Sequence, residues 1–358
     1  MTLYRSEMES HPDRPRRVTL KEVAQEVGVS ICTVSVVLNG SRSGSHISER
    51  TQATILESAA RLGYRPNQVA RTLKDGRTRI IGLIPSTVDL NMVMGPHLQQ
   101  VMNGVVNVLE EAHLDLLLLT RCDPKNAGDV LDVVLDGRLD GVIMVSPRHD
   151  SRVFALLQDA GFPAVMIDGD TSAGNASFSV DNQFAVNLAI DHLVGLGHHR
   201  IAHLAGNASQ TIAQQRFQAY MRRMEYHSLP IPDGYVQVAG FHTSEAFKAV
   251  QRLIQLTDRP TAVFCANDDM AIGAIEGAKA VGLDIPIDLS VVGFDDVPHA
   301  PLISPGLTTV HHPIAEIGRR AAESLIALIE GQPRPIHPDL PVHLVIRGST
   351  AKPMVVSS

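Results

Sequence analysis

The chain has 358 residues, of which 44% are hydrophobic, so it is long enough for two or three globular domains and is not an extended disordered chain. Its formal net charge is −7, yet residues 14–79 carry 12 Lys and Arg against 5 Asp and Glu, a local charge of +7. A basic footprint confined to one segment is typical of a nucleic-acid-binding head-piece.

The remaining composition argues against secreted and membrane proteins. Cys32, Cys122 and Cys265 lie far apart and form no C-x-x-C pair, which disfavours a disulfide framework or a cysteine-based zinc site. No apolar run approaches the length that a membrane-spanning helix needs, and the polar N-terminus lacks a signal-peptide core. We therefore expect a cytoplasmic protein with no membrane partner, whose residues 1–16 form a disordered extension.

The first ordered segment predicts two short helices joined by a tight turn. It reads TLKEVAQEVGVSICTVSVVLN and covers residues 19–39. Thr19 and Glu22 have the spacing of a capping box, Gly28 supplies the left-handed residue of the turn, and Ser30 caps the second helix. Helical pairs of this kind form the helix-turn-helix, whose second helix enters the DNA major groove.

A third helix is predicted to complete this unit, because two short helices cannot bury enough apolar surface alone. It runs from Ser48 to Leu62, with Ile55, Leu56 and Ala59 facing the other two helices. Asn67 then starts one more short, polar helix that ends at Gly76, and this helix is too short to be stable unless it folds against another surface.

These motifs, followed by YRPNQVARTL from residue 64, resemble the head-piece and hinge of the lactose/galactose repressor (LacI/GalR) family over residues 18–79. The resemblance implies a transcriptional repressor that binds operator DNA as a homodimer. It also implies that Ile31, Cys32 and Val36 set operator specificity. The family usually has Arg at the last position, whereas Val offers only apolar contact, for example with a thymine methyl group. We therefore expect an unusual half-site that depends more on methyl groups.

Further DNA contacts follow from the same resemblance and from the chemistry of hydroxyl and amide groups. Those expected on the phosphate backbone are Ser30, Thr33, Ser35, Asn39, Ser48 and Thr51, and Thr19 is also expected at the DNA. His46 is also expected to contact the DNA backbone or a base, and it lies in a loop about three residues longer than is usual in the family. On the hinge helix, Asn67 and Ala70 are also expected at the DNA, and Leu73 is expected to wedge into the central minor-groove step and kink the duplex.

From Thr78 onwards, apolar runs alternate with helical stretches, which predicts α/β layers with parallel sheets. The helices are expected at about 96–113, 125–136, 151–160, 182–196, 210–228, 243–256, 268–281 and 313–330. The resemblance implies a two-lobed, type I periplasmic-binding-protein-like domain. The predicted boundaries are 17–66 for the helix-turn-helix domain, 67–78 for the hinge, and 79–358 for effector binding and dimerisation, with a first lobe of 79–178 plus 312–342 and a second of 179–311 plus 343–358.

Ligands of such lobes bind at the carboxyl ends of strands. The polar residues there that match the family's ligand positions are Ser86, Asp168, Asp181, Arg216, His242, Asn267 and Asp295. Paired donors and acceptors suit the hydroxyl groups of a sugar or sugar derivative, although the chain has no Trp to stack on a sugar ring. Asp268 and Asp296 are expected to cap helices rather than bind a ligand.

Other functions stay open at this point. A non-sugar effector such as a nucleobase is one alternative. A cytoplasmic cleft enzyme is another, but the chain contains no G-x-S-x-G, Walker A or H-E-x-x-H pattern. His198, His199, His203, His311 and His312 lack the spacing of a metal site, so neither a cofactor nor a metal is expected. Whether the effector induces release or promotes DNA binding is left open, as is an oligomer larger than a dimer.

Overall fold

The computed structural model describes residues 18–39, 47–65, 72, 76–85, 95–121, 123, 125–170, 177–333, 335 and 340–354. The chain divides into two compact units between Thr78 and Arg79. Of the helices in these ranges, none is long and apolar enough to cross a membrane.

Residues 18–39 and 47–65 of the first unit form the helices α1 (Leu20–Val27), α2 (Ile31–Asn39) and α3 (Glu49–Leu62). Helix α1 begins at the predicted capping box, in which Glu22 N donates to Thr19 Oγ1 and the Glu22 carboxylate accepts from Thr19 N. It ends at Gly28, whose φ of 72° is the left-handed conformation that a side chain disfavours. The predicted helix-turn-helix geometry is therefore confirmed.

A small apolar core holds the three helices together. Val23 and Val34 are fully buried in it, with Ile55 and Ala59 contributed by α3. The prediction for Leu56 is wrong, because its side chain is 53% exposed and Ser58 is buried instead. Residues three and four positions after Ile55 share its face of the helix, whereas its immediate neighbour is rotated by about 100°.

The described residues of the second unit form two sheets, the first parallel and the second parallel except at one edge strand. The first sheet has the order β2-β1-β3-β4-β5, with strands β1 (Ile80–Ile84), β2 (Asp115–Leu118), β3 (Gly141–Val145), β4 (Ala164–Ile167) and β5 (Ser177–Phe178). The helices between these strands are α4 (Pro96–Glu111), α5 (Ala127–Val134) and α6 (Val153–Asp159). Helix α4 packs on one face of the sheet, and α5 and α6 pack on the other. Both faces are covered, which explains the nearly continuous apolar sequence of the strands.

The second sheet has the order β11-β10-β9-β8-β6-β7. Its strands are β6 (Ile201–Ala205), β7 (Val236–Val238), β8 (Ala262–Cys265), β9 (Ser290–Asp295), β10 (Thr308–His311) and β11 (His343–Val345). It is covered by helices α7 (Asn182–Gly195), α8 (Thr211–Tyr226), α9 (Thr243–Ile254) and α10 (Asp268–Lys279). Strand β11 is antiparallel to β10, an edge pairing that the alternating pattern did not predict.

The chain passes between the two sheets more than once. It leaves the first sheet after β5, and α7 packs on β8, β10 and β11 of the second sheet. After β10, helix α11 (Ile314–Ile329) returns to the first sheet and packs tightly on α4. This contact needs small residues, because a Cβ atom added at Gly104 would lie 1.8 Å from the carbonyl oxygen of Ala315. All eight predicted helices of this unit are present, with ends displaced by no more than a few residues.

Candidate functional site

The candidate DNA-reading surface is the first turn of α2. Val34 points into the core, and this fixes which side of the helix is accessible. Ile31 is 48% exposed and Cys32 is also exposed. Val36, one turn after Cys32, is partly buried. Two of the three predicted specificity residues therefore lie on the open face of the first turn, where a recognition helix contacts bases.

The predicted phosphate-contacting hydroxyl groups lie at helix starts. Ser30 Oγ accepts from Thr33 N at 3.0 Å and lies 2.8 Å from Thr33 Oγ1. At the start of α3, Ser48 Oγ accepts from Thr51 N at 3.2 Å and lies 2.9 Å from Thr51 Oγ1. These side chains cap their helices, and capping leaves the lone pairs and protons of a hydroxyl partly available for a phosphate.

Two further predicted DNA contacts lie in α2, and the others lie outside the described residues. Asn39 is the last residue of α2, and Ser35 is partly buried within that helix. The other predicted contacts, in the loop before α3, in the hinge and after β1, lie outside the described residues: His46, Asn67, Ala70, Leu73 and Ser86.

The candidate effector cleft begins at the carboxyl end of β4. Asp168 is 1% exposed and has a φ of 53°. Its Oδ1 accepts from Ser179 Oγ at 2.9 Å, and its Oδ2 accepts from His97 Nε2 at 3.1 Å. Burial alone would raise the pKa of Asp168, but the His97 hydrogen bond and nearby positive charges hold it well below its ordinary value.

His97 lies in the first turn of α4, and its pKa depends on the same contact with Asp168. Burial lowers the pKa of His97, but the hydrogen bond to Asp168 and the charge of that carboxylate outweigh burial and raise it above its ordinary value. The partially exposed imidazole therefore favours the charged form more than a free histidine does.

On the second sheet, Arg216 projects from α8 and is 1% exposed. Its Nε donates to Asn182 Oδ1 at 3.0 Å and its Nη1 donates to the Ala266 carbonyl at 2.5 Å. The guanidinium stacks over the Phe294 ring, 3.6 Å from the centroid. Asp295 Oδ1 lies 3.6 Å from Nη1. These contacts hold the side chain rigidly at the carboxyl ends of β8 and β9.

His312 lies between Asp168 of the first sheet and Asp295 of the second. It directly follows β10, where the chain returns towards the first sheet, and it is 1% exposed. Its Nδ1 lies 3.3 Å from Asp295 Oδ1, and its Nε2 lies 3.9 Å from Asp168 Oδ1. Within the described part of the chain, the buried Nε2 has no hydrogen-bond partner. A carboxylate from each sheet thus meets one imidazole.

The other predicted effector residues have structural contacts of their own. Asp181 caps α7 by accepting from Phe184 N, and its side chain is exposed. Asn267 caps α10 by accepting from Met270 N. His242 is partly buried and is the residue before α9. The structure therefore brings together Asp168, Arg216 and Asp295 of the predicted set.

The expectation that Asp268 and Asp296 cap helices is wrong. The cap of α10 is Asn267, whereas the fully buried Asp268 accepts from Val297 N and Thr309 Oγ1 and joins α10 to the strands beside it. Burial, and then the negative charge of Asp295, raise the pKa of Asp268 well above its ordinary value. Asp296 pairs with Arg347 and His311, and no helix begins there.

Four residues of the cleft were missed by sequence reasoning, namely His97, Ser179, Asn182 and His312. Ser179 and His312 do follow strands β5 and β10 directly, so the strand-end rule could have found them. His97 and Asn182 lie at the starts of α4 and α7, and only their tertiary contacts with Asp168 and Arg216 point to the cleft.

Two of the histidines considered above as metal ligands are buried in contacts within the second sheet and its surroundings. His203 is fully buried between the rings of Tyr220 and Phe264, and His198 contacts Thr261, Ser290 and the Ala351 carbonyl. In the described ranges, no three or more His, Cys, Asp or Glu side chains are grouped as metal ligands.

Comparison with known proteins gives two family matches. Residues 19–67 match the model of the bacterial regulatory proteins of the lacI family, and residues 190–350 match a periplasmic binding protein-like domain. The chain is 32% identical over 342 residues to the HTH-type transcriptional repressor PurR of Mannheimia succiniciproducens, covering 93% of this chain and 99% of that protein. It is also 32% identical to PurR of Serratia proteamaculans, covering 90% and 95%.

Solved structures agree over nearly the whole chain. The lac repressor dimer bound to operator and the anti-inducer ONPF is 28% identical, with a TM-score of 0.83 over 94% of this chain and 100% of that one. A complex of the transcriptional regulator CelR with cellobiose is 27% identical, with a TM-score of 0.68 over 93% and 100%. The family resemblance and the predicted fold are confirmed: this chain belongs to the LacI family and is a DNA-binding transcriptional repressor, not an enzyme, with an effector-binding domain of the periplasmic-binding-protein type.

Proposed function

We propose that the effector of this repressor is a sugar or sugar derivative, bound where Asp168, Arg216 and Asp295 meet. The observation that carries the proposal is the Nη2 atom of Arg216, which is buried and has no partner among the described residues. Fixed donors beside carboxylates suit a ligand with several hydroxyl groups. CelR, a solved relative, forms a complex with cellobiose.

The other residues predicted to bind the effector are also assigned to the proposed cleft, each on its own grounds. Ser86 and His242 are proposed to line the same cleft. Asp181 and Asn267 already cap helices, so we propose that they orient the starts of α7 and α10 and contact the effector only through their remaining polar atoms. His97 and His312 join the set because of their contacts with Asp168 and Asp295.

On the DNA side, we propose that Ile31, Cys32 and Val36 read base edges, and that Val36 replaces the guanine contact of an Arg with an apolar contact. The exposure of Ile31 and Cys32 on the first turn of α2 supports this assignment. The hydroxyl and amide groups assigned above to phosphates position the head-piece. Two copies of the chain act together as a homodimer, and Leu73 from each copy wedges into the minor groove.

The allosteric step follows from linkage. An effector can change operator affinity only by the difference between its affinities for the DNA-bound and free conformations, typically about 1–3 kcal/mol. The proposed cleft contains side chains from both sheets, so a ligand there changes the relative energies of lobe arrangements.

A two-step screen tests the proposal. Thermal unfolding of the full chain is measured with sugars, sugar acids, sugar phosphates and nucleobases, and each compound that raises Tm is then added to an operator mobility-shift assay. We expect a sugar-type compound to raise Tm and to change operator affinity, since a ligand that binds the native state stabilises it. A response to nucleobases alone would overturn the sugar assignment and favour the alternative of a nucleobase effector.

A further inference from the structure

A short pairing joins the two lobes of the effector-binding unit, each lobe being one sheet with the helices that cover it. The segment after β3 and the segment after β6 form an antiparallel bridge between Arg148 and Gln210. Beside this bridge, the backbone N–H of His149 donates to the Ser209 carbonyl oxygen at 2.9 Å, and Nδ1 of the same imidazole lies 3.1 Å from that oxygen. Because a carbonyl oxygen only accepts, Nδ1 carries a proton in this contact. Two donors of one residue therefore hold one carbonyl group of the other lobe.

Each paired segment is held in place by its own lobe. Ser146, directly after β3, has a φ of 46° and donates its N–H to the Ile167 carbonyl oxygen at 2.8 Å. Left-handed backbone is unfavourable for a residue with a Cβ atom, and such positions cluster in ligand clamps and switch segments. In the other lobe, Asn207 Oδ1 accepts from Ser209 N at 3.0 Å, and the Asn207 carbonyl oxygen accepts from Gln210 N at 2.9 Å. The pairing therefore joins two segments that are already shaped for it.

The strand order places the effector cleft between this pairing and the segments that cross from one sheet to the other. In the first sheet, the chain leaves after β5, Asp168 follows β4, and the paired segment follows β3, the next strand along. In the second sheet, the chain crosses after β10, Asp295 ends β9, Arg216 contacts Ala266 beyond β8, and the paired segment follows β6. The cleft residues are thus enclosed by covalent connections on one side and by the pairing on the other.

The cleft is closed to solvent in this arrangement. Asp168, Arg216 and His312 are each 1% exposed, so the lobes must separate before a ligand can reach them. The covalent crossing segments cannot separate, whereas a few hydrogen bonds contribute little net free energy because water replaces them. The paired segment also includes Thr211, the first residue of α8, whose Oγ1 donates to the Pro147 carbonyl oxygen at 3.5 Å. Helix α8 carries Arg216, so one helix connects the pairing to the cleft.

We propose that the pairing of residues 147–149 with residues 209–211 is a latch, which holds the two lobes closed over the effector cleft and must open before an effector enters or leaves. The inference rests on the proposed effector cleft and adds a control of access to it. Access does not depend on the class of ligand. The latch can therefore stand if the sugar assignment fails, and it can fail while that assignment stands. An effector then acts on an equilibrium between latched and open molecules.

A disulfide across the bridge tests whether the latch controls access. Directly paired residues of antiparallel strands have Cα atoms about 4.5–5.5 Å apart, a spacing that a disulfide can span. The double variant Arg148→Cys/Gln210→Cys is made in the full chain with Cys32→Ser and Cys122→Ser, and Arg148→Ser/Gln210→Ser in the same background is the matched control. The Arg148 guanidinium pairs with Asp150 of its own segment, so replacing it removes none of the contacts between the lobes described above.

Access is measured as the rate at which diethyl pyrocarbonate modifies the buried His312, relative to the exposed His199, by peptide mass spectrometry. We expect His312 to react at least about tenfold more slowly in the oxidised cysteine variant than in the serine control, because only open molecules react. Equal rates overturn the inference. So does a failure of the two cysteines to cross-link in folded protein, because the segments are then not paired in solution.

A variant that breaks the latch gives the opposite change. His149→Pro removes both the N–H group and the imidazole that contact Ser209, so His312 should react at least about fivefold faster than in the wild type. His113→Asn, which changes an exposed histidine of the same lobe, should leave the rate unchanged. The fully buried His203 reports unfolding: its rate should stay at the wild-type value, and if it rises with that of His312, the disulfide comparison decides. An unchanged His312 rate in His149→Pro overturns the inference.

Discussion

Replacing His203 by Leu should remove much of the acid sensitivity of the effector-binding unit. The His203 ring is fully buried between aromatic side chains, and its Nδ1 lies 3.0 Å from the Phe264 carbonyl oxygen. Burial is the main cause that lowers the pKa of His203 from 6.5 to about 4. The native state therefore binds the proton more weakly than the unfolded chain does.

The change in the free energy of unfolding with pH follows from the difference between the pKa of His203 in the folded and unfolded states. Because the folded pKa of His203 is depressed, its neutral form costs nothing above the unfolded pKa, and stability is lost as the pH falls from about 6.5 towards 4. The full difference is about 3.4 kcal/mol at about 1.36 kcal/mol for each pH unit, and about 2 kcal/mol of it appears between pH 7 and pH 5.

Urea unfolding followed by circular dichroism at pH 7 and pH 5 measures this difference. The wild-type chain should lose about 2 kcal/mol more than His203→Leu over this interval. His199→Gln, which changes an exposed histidine close by in sequence, should behave like the wild type. The reasoning is refuted if the wild type and His203→Leu lose the same free energy of unfolding.

Three further changes test the DNA-binding half. Thr19→Ala removes the capping box of α1 and should lower head-piece stability by about 1 kcal/mol, seen as weaker operator binding with an unchanged melting transition of the effector-binding unit. Val36→Arg should shift an in vitro operator selection towards guanine, with about 1–3 kcal/mol of discrimination; a wild-type selection that already returns guanine there would contradict the methyl-contact hypothesis. Leu73→Ala should weaken operator binding and reduce DNA bending without changing the unfolding of the effector-binding unit, and unchanged affinity would refute the wedge.

The head-piece was predictable because its structure depends on near neighbours in the sequence. The capping box of Thr19 and Glu22, the left-handed Gly28 and the cap at Ser30 each involve residues within three positions of one another or a single residue. Such signals are strong in one sequence. The prediction for Leu56 was wrong because adjacent residues of a helix face different directions. Both Ile55 and Leu56 are apolar, and only the phase of the helix decides which of them is buried.

The effector cleft was only partly predictable, because its contacts join distant positions. His97 and Asp168 are 71 residues apart, and Arg216 and Ala266 are 50 apart. Strand-end reasoning locates Asp168 and Asp295 but not His97, which contacts Asp168 from the start of a helix. Similarly, nothing local distinguishes the antiparallel edge strand β11 from the parallel strands, since the direction of a strand is defined only relative to the strand with which it pairs.

His312 lies close to a carboxylate of each sheet. Asp168 ends a strand of the first sheet and Asp295 ends a strand of the second, and His312 lies between them where the chain crosses over. Interactions among closely spaced charges in a site of low dielectric are strong and depend steeply on distance. We propose that a ligand bound at Arg216 changes the contacts of His312 with Asp295 and Asp168, and with them the relative energies of different arrangements of the two sheets. Differential affinity of this kind is what an effector needs to shift a conformational equilibrium.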